Sequence, residues 1–134
     1  MKRSRIAIVL GAMVLIAVAS FLMGCGFKRK LVAIEITPNG VTITGTGLIV
    51  HFKAVGLYIH PPDSRDITNS VVWDSAAPQI ISIDPSTGIA VSGAGCGTNI
   101  TISATAYSNP ETKSGAVVIG QVPITVSQPP PGCP

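Results

Sequence analysis

Hydrophobic and polar positions follow two different regimes along this chain. From Ile6 to Gly24 no side chain is charged, and Ser20 is the only polar one. A run of that length fits the apolar part of an export signal or a membrane-spanning helix of about 20 residues. From Leu31 onward the pattern becomes short β-branched runs with period two, separated by Gly, Pro, Asn and Asp. Leu31 to Thr37 predicts a strand with Val32, Ile34 and Ile36 on one face. Val50 to Ala54 predicts another, with Val50, Phe52 and Ala54 opposite His51 and Lys53. Val71 to Asp74 places Val71 and Trp73 inward. Ile80 to Asp84 and Ile89 to Ser92 flank a tight turn at Pro85-Ser86-Thr87-Gly88. Asn99 to Ala106 has the clearest alternation, with Ile100, Ile102, Ala104 and Ala106 on one face and Thr101, Ser103 and Thr105 on the other. Val117 to Ile119 and Pro123 to Ser127 predict a last strand, broken or bulged near Pro123 because proline cannot donate to a ladder. This pattern predicts an all-β, two-sheet β-sandwich of about seven strands, preceded by an N-terminal signal helix. Gln128 to Pro134 (QPPPGCP) is expected to be an extended, polyproline-like tail.

Charge sharpens the reading of the N-terminus. Lys2, Arg3 and Arg5 precede the apolar run, and Leu22-Met23-Gly24-Cys25 ends it. That ending resembles the lipobox of bacterial lipoproteins: an aliphatic residue, a small residue, then the cysteine that is lipidated and becomes the first residue of the mature chain. The resemblance implies a signal peptide over residues 1–24, lipidation of Cys25 and a tether over residues 25–30. A plain membrane anchor with an incidental cysteine is the other reading. The chain carries 9 basic and 6 acidic residues, net +3. Cleavage would remove three of the basic ones, leaving six of each sign. From Leu31 onward Lys53, Arg65 and Lys113 face six acids, a net charge of −3. The basic balance therefore belongs to targeting and gives no argument for nucleic acid. Lys28, Arg29 and Lys30 are expected either against anionic headgroups, at about 1 kcal/mol per charge, or as a solvated tether.

Three cysteines make an odd count. If Cys25 is a thioether, Cys96 and Cys133 remain as a candidate disulfide in an exported protein. It would close a loop of about 36 residues and stabilise by ~3 to 4 kcal/mol in the chain-entropy account. One buried thiol and one free tail thiol is the alternative.

The stretch from Ile34 to Ala106 resembles the group 2 bacterial immunoglobulin-like domains of invasin- and intimin-type proteins. The resemblance rests on Ile34-Glu35-Ile36-Thr37-Pro38, on Phe52-Lys53-Ala54, and on Asp66-Ile67-Thr68 with Val71, Trp73 and Ser75. It continues through Pro78, Ile80, Ile81, Ile83 and Gly88-Ile89-Ala90 to Gly95-Cys96-Gly97-Thr98, Ile102 and Ala104. It implies an Ig-like domain over residues 31–127, with residues 128–134 as a Pro-rich tail. Trp73, Phe52 and Ile102 are then residues of the fold, Trp73 filling the space between sheets. Asp66 with Thr68 reads as a side-chain-to-backbone turn, and Gly95 with Gly97 as a backbone turn that other residues resist. The chain departs from the family at His60 to Arg65 and at Cys96, whose place in the glycine turn favours pairing with Cys133.

Candidate chemistry is thin. His51 falls on an outward strand face. His60 lies beside Asp63 and Asp66, but no zinc spacing or calcium loop is present. The serines and threonines lack a His–carboxylate partner set. Aromatics are 4% of the chain, too few for a stacking platform, although Tyr58 and Tyr107 near strand ends are candidates for contact or rim packing. No catalytic residue, metal site or cofactor is expected. The expected function is a lipid-anchored module of the bacterial cell envelope, mediating protein or glycan interaction close to the membrane. A structural lipoprotein accessory to an envelope assembly is the alternative, and a metal-binding or enzymatic protein a weaker one. Gly26 after Cys25 resembles default sorting to the outer membrane in a diderm cell. A tether of five residues reaches about 17 Å at most, which favours a role beside the membrane over long-range adhesion.

Overall fold

The computed structural model describes residues 28–133. The expected signal helix, Cys25 and its lipidation, and the start of the tether lie outside them. The described residues contain no helix and form ten strands: β1 (Lys30–Thr37), β2 (Thr42–Thr44), β3 (Ile49–His51), β4 (Lys53–Ile59), β5 (Asp63–Asp66), β6 (Val72–Ser75), β7 (Ile81–Ile83), β8 (Ile89–Ser92), β9 (Gly97–Asn109) and β10 (Ser114–Ser127). They are arranged as three sheets in a sandwich-like packing, with orders β1-β4-β5, β3-β8-β7 and β2-β10-β9-β6. Every pairing is antiparallel except that of β2 with β10.

Three sheets replace the expected two because the run around Phe52 changes partners. Ile49–His51 pairs with β8, whereas Lys53–Ile59 pairs with β1. At the junction the Phe52 N–H donates to the Gly88 carbonyl at 2.9 Å, and the ring is buried. The count of ten instead of about seven has a related cause. TIT of β2 and DSRD of β5 are too short and too polar to show an apolar period, and they exist as strands through their neighbours β10 and β4. Residues 63–66, for which the apolar pattern predicts no strand, are thus half of a hairpin with β4.

The first strand also differs in its inward set. A register shift between Leu31 and Ala33 buries Leu31 and turns Val32 out to solvent. One extra residue in a ladder moves every preceding side chain to the other face. The last strand runs unbroken through Pro123, which pairs with Thr101, and the expected bulge near it appears as the register shift between Ile124 and Val126; a second shift lies between Ser114 and Val117.

The core is continuous between the layers. Trp73 is 2% exposed and its ring lies 6.3 Å from that of Phe52, tilted by 40°. Ile102 is fully buried. The Trp73 indole N–H donates to the Thr68 carbonyl at 2.9 Å. Thr68 is itself fixed, since its N–H (3.0 Å) and hydroxyl (2.7 Å) both donate to one Asp66 oxygen, while the hydroxyl accepts from the Ala54 N–H at 3.0 Å. One exposed carboxylate thereby sets the height of the largest core side chain. Small residues let the layers close: a Cβ on Gly120 of β10 would lie 2.5 Å from the Ile34 carbonyl oxygen of β1.

At the other pole the chain end is stapled. Cys96 and Cys133 are paired, with Cα atoms 6.1 Å apart. The Gln128 amide donates to the Gly93 carbonyl at 2.9 Å and accepts from the Thr46 hydroxyl at 3.0 Å. The tail is therefore not an extended polyproline arm. It reverses in a turn closed by the Gly132 N–H on the Pro129 carbonyl (2.8 Å), the reversal that brings Cys133 back to Cys96. Gly95 and Gly97 serve packing here and have no left-handed backbone. Added Cβ atoms would sit 3.1 Å from Ile80 Cγ1 at Gly95 and 2.8 Å from Ile100 Cδ1 at Gly97.

Candidate functional site

Alternation along β6, β9 and β10 sends one set of side chains to the core and the other outward. Inward lie Trp73, Ile102, Ala104, Val122 and Ile124. Outward, register places Val72, Thr105 and Ile119 side by side in one row, and Tyr107 beside Val117 in the next. Val72 is 64% exposed, Val117 57%, Ile119 56% and Tyr107 46%. No side chain of β10 is charged. Asp74 of β6 is the charge on this outer face, at the edge away from β10. Natural sheets usually place charge on such faces and edges, so β10's uncharged share, beside four large exposed apolar side chains, is a surface suited to contact.

The same strand has an open edge. Thr125 donates its N–H to Val41 at 2.9 Å, so its backbone groups point away from β9. Alternate residues point the same way, which directs the backbone groups of Pro123, Gln121, Ile119 and Val117 to that side as well. β2 covers only Thr125–Ser127. Among the described residues no strand pairs with this side of β10 from Ser114 to Ile124. Pro123 is tolerated for that reason, because its missing N–H faces the open side and costs no ladder bond.

Two clefts adjoin this face at the pole where the chain enters. The first, of about 480 Å³, is lined by Lys28, Arg29, Tyr58, Arg65, Ile67 and Glu111 among others. The second, about 1080 Å³, runs past Tyr107, Val117, Val72 and Lys113 and shares Pro110 and Glu111 of the β9–β10 turn. Arg65 is held by Asp63 at 2.7 Å. Burial pushes the Tyr58 hydroxyl above its usual value, with the Arg65 guanidinium opposing the shift.

The polar groups read from the sequence serve structure in this arrangement. Asp63 is held below the usual carboxylate range by its hydrogen bond from Arg65, Asp66 by Thr68, and Asp84 by the backbone N–H groups of Ser86 and Thr87. Carboxylates stabilised as anions are weak candidates for general acids or bases. His51 is exposed on β3, and His60 lies in the β4–β5 connection at φ 63°, a conformation uncommon for a side chain that is not glycine. Among the described residues no three His, Cys, Asp or Glu converge on a common point. Tyr58 is buried and Tyr107 exposed. Trp73, Phe52 and Ile102 lie inside the core, and Cys96 with Cys133 at the far pole, so none of them forms part of the outer face.

The residues that do form it, Val72, Val117 and Ile119, were not singled out from the sequence. Val117-Val118-Ile119 is a continuous apolar run, which hides which members face solvent. No protein-family model matches the chain, and no curated protein matches it.

Proposed function

We propose that this chain is a non-catalytic, lipid-anchored module of the bacterial cell envelope whose Ig-like sandwich holds a protein partner close to the membrane. The observation that carries the binding role is the uncharged outer face of β10 beside its open edge. An aliphatic row next to unpaired backbone groups favours a polypeptide over a glycan. An added strand would satisfy the edge while its alternate side chains lie against Ile119, and Val72, two strands away on β6, would meet other parts of the partner. The lipobox-like Leu22-Met23-Gly24-Cys25 supports the anchor, and the Cys96–Cys133 pair fits an oxidising compartment. A structural role within an envelope assembly is the second reading; the short tether between Cys25 and β1 favours it.

Crosslinking of the lipidated protein in intact cells, followed by capture and intact-mass analysis, tests the proposal. A specific partner that wild type captures and Ile119→Lys loses, with folding unchanged, supports it. Equal capture by both proteins removes the β10 face from the reading. An unmodified Cys25 removes the anchor.

A further inference from the structure

The pole of the sandwich that carries the β9–β10 turn differs in character from the rest of the molecule. Lys28 and Arg29 line a cleft with Pro110, Glu111 and Thr112 of that turn. Lys30 follows at the start of β1, and Lys113 lies in the turn itself. Neither ion pair of the described residues includes any of these four cations. Glu111 is the turn's single acid; Asp66 also lines the cleft, and Asp63 lies near Arg29, but these three are outnumbered by Lys28, Arg29, Lys30, Lys113 and Arg65. Beside this charge stand Tyr107 and Val117, the exposed apolar pair next to the turn. A cationic rim around an aromatic hydroxyl and an aliphatic side chain is the composition that settles at a headgroup boundary.

Chain length adds a constraint. Only Gly26 and Phe27 separate Cys25 from Lys28, so the lipidated residue stands at most about 11 Å from Lys28. The opposite pole, with Thr46 and Gln128, lies beyond the far end of the 14-residue β10, about 45 Å along the strand. From these placements we infer that the turn pole rests on the bilayer, with Lys28, Arg29, Lys30 and Lys113 on anionic headgroups and Tyr107 with Val117 at the polar–apolar boundary. This inference rests on the lipidated Cys25 of the proposed function and gives that anchor an orientation. The row of Val72 and Ile119 and the open edge then stand just above the headgroups, available to a partner.

The test uses the full lipidated protein reconstituted in vesicles of phosphatidylcholine with a minority of phosphatidylglycerol. Single cysteines are introduced by Thr112→Cys, Val117→Cys and Thr46→Cys and labelled with an environment-sensitive dye. With Cys25 a thioether and Cys96 bonded to Cys133, the new thiol is the one that labels. Headgroup-nitroxide lipid should quench the probes at positions 112 and 117 several-fold more than the probe at 46. Equal quenching at the three positions, or the strongest at 46, overturns the orientation while leaving the anchor intact. Probes at 112 and 117 that ignore the lipid and respond only to added envelope protein also overturn it, and assign the pole to a protein. A second dye per chain on Cys25, seen by intact mass, removes the anchor and this inference together.

Discussion

Gly88 offers the sharpest test of how the core is built, because two separable costs meet there. Its φ of +70° lies in the left-handed region, and an added Cβ would come within 2.8 Å of Trp73 Cε2 and 2.9 Å of the Phe52 carbonyl oxygen. Gly40 has nearly the same backbone, at φ +69°, but nothing within 4 Å of its added Cβ. Left-handed geometry costs an alanine about 1 to 2 kcal/mol, and lower entropy in the unfolded chain returns about 0.4 to 1 kcal/mol. Gly40→Ala should therefore destabilise by between ~0 and ~1.6 kcal/mol. At Gly88 the indole must also move, and it is held by Phe52 and by its bond to the Thr68 carbonyl. Overpacking of that kind costs a further ~1 to 3 kcal/mol, so Gly88→Ala should lose about 1 to 5 kcal/mol in total, ~1 to 3 kcal/mol more than Gly40→Ala. Urea unfolding followed by far-ultraviolet circular dichroism measures both variants without relying on Trp73, the only tryptophan. Equal losses at the two positions would refute the reasoning: Trp73 would then yield freely, and the Asp66–Thr68 support would not be fixing its position.

Other expectations concern the staple and the turns. Reducing the Cys96–Cys133 bond, whose partners are 37 residues apart, should lower stability by ~3 to 4 kcal/mol. Thermal melts with and without reductant, compared with Cys96→Ser/Cys133→Ser, check this; a melt insensitive to both is the contrary result. Acid should also weaken the fold. Asp63, Asp66 and Asp84 all have values lowered by native hydrogen bonds, so their contribution is complete above the ordinary carboxylate value, near 3.9. It disappears as pH falls through the lower folded values. Asp84→Ala should flatten that acid limb in denaturant titrations, and an unchanged limb would mean that its turn bonds contribute nothing to stability.

The all-β class was legible because burial and strand period coincide over Asn99 to Ala106, where Ile100, Ile102 and Ala104 face the core. It failed where one backbone event reassigns many side chains. The shift between Leu31 and Ala33 exchanges Leu31 for Val32, a change no apolar alternation can announce. Phe52 passes the chain from one sheet to another while keeping the same inward face, so a single strand was read where two exist. β5 takes its order from β4, and its own residues are polar. The outer face was hidden for a different reason: a run such as Val117-Val118-Ile119 looks alike whether it is buried on both sides or on one. Pro123 was read for the hydrogen bond it lacks, but its meaning depends on which side of β10 has a neighbour.

The staple between Cys96 and Cys133 has a mechanical side. These residues adjoin the base of the β9–β10 hairpin, and the turn pole is at the other end. A pull on Cys133 passes through the covalent link to Cys96, and so reaches the roots of both strands together. With the bond open, the same load would enter at Ser127 and be carried by the end pairings of β10 with β2 and with Gly97 of β9. The bridge thus decides whether tension enters the domain through both of its longest strands at once or through β10 alone.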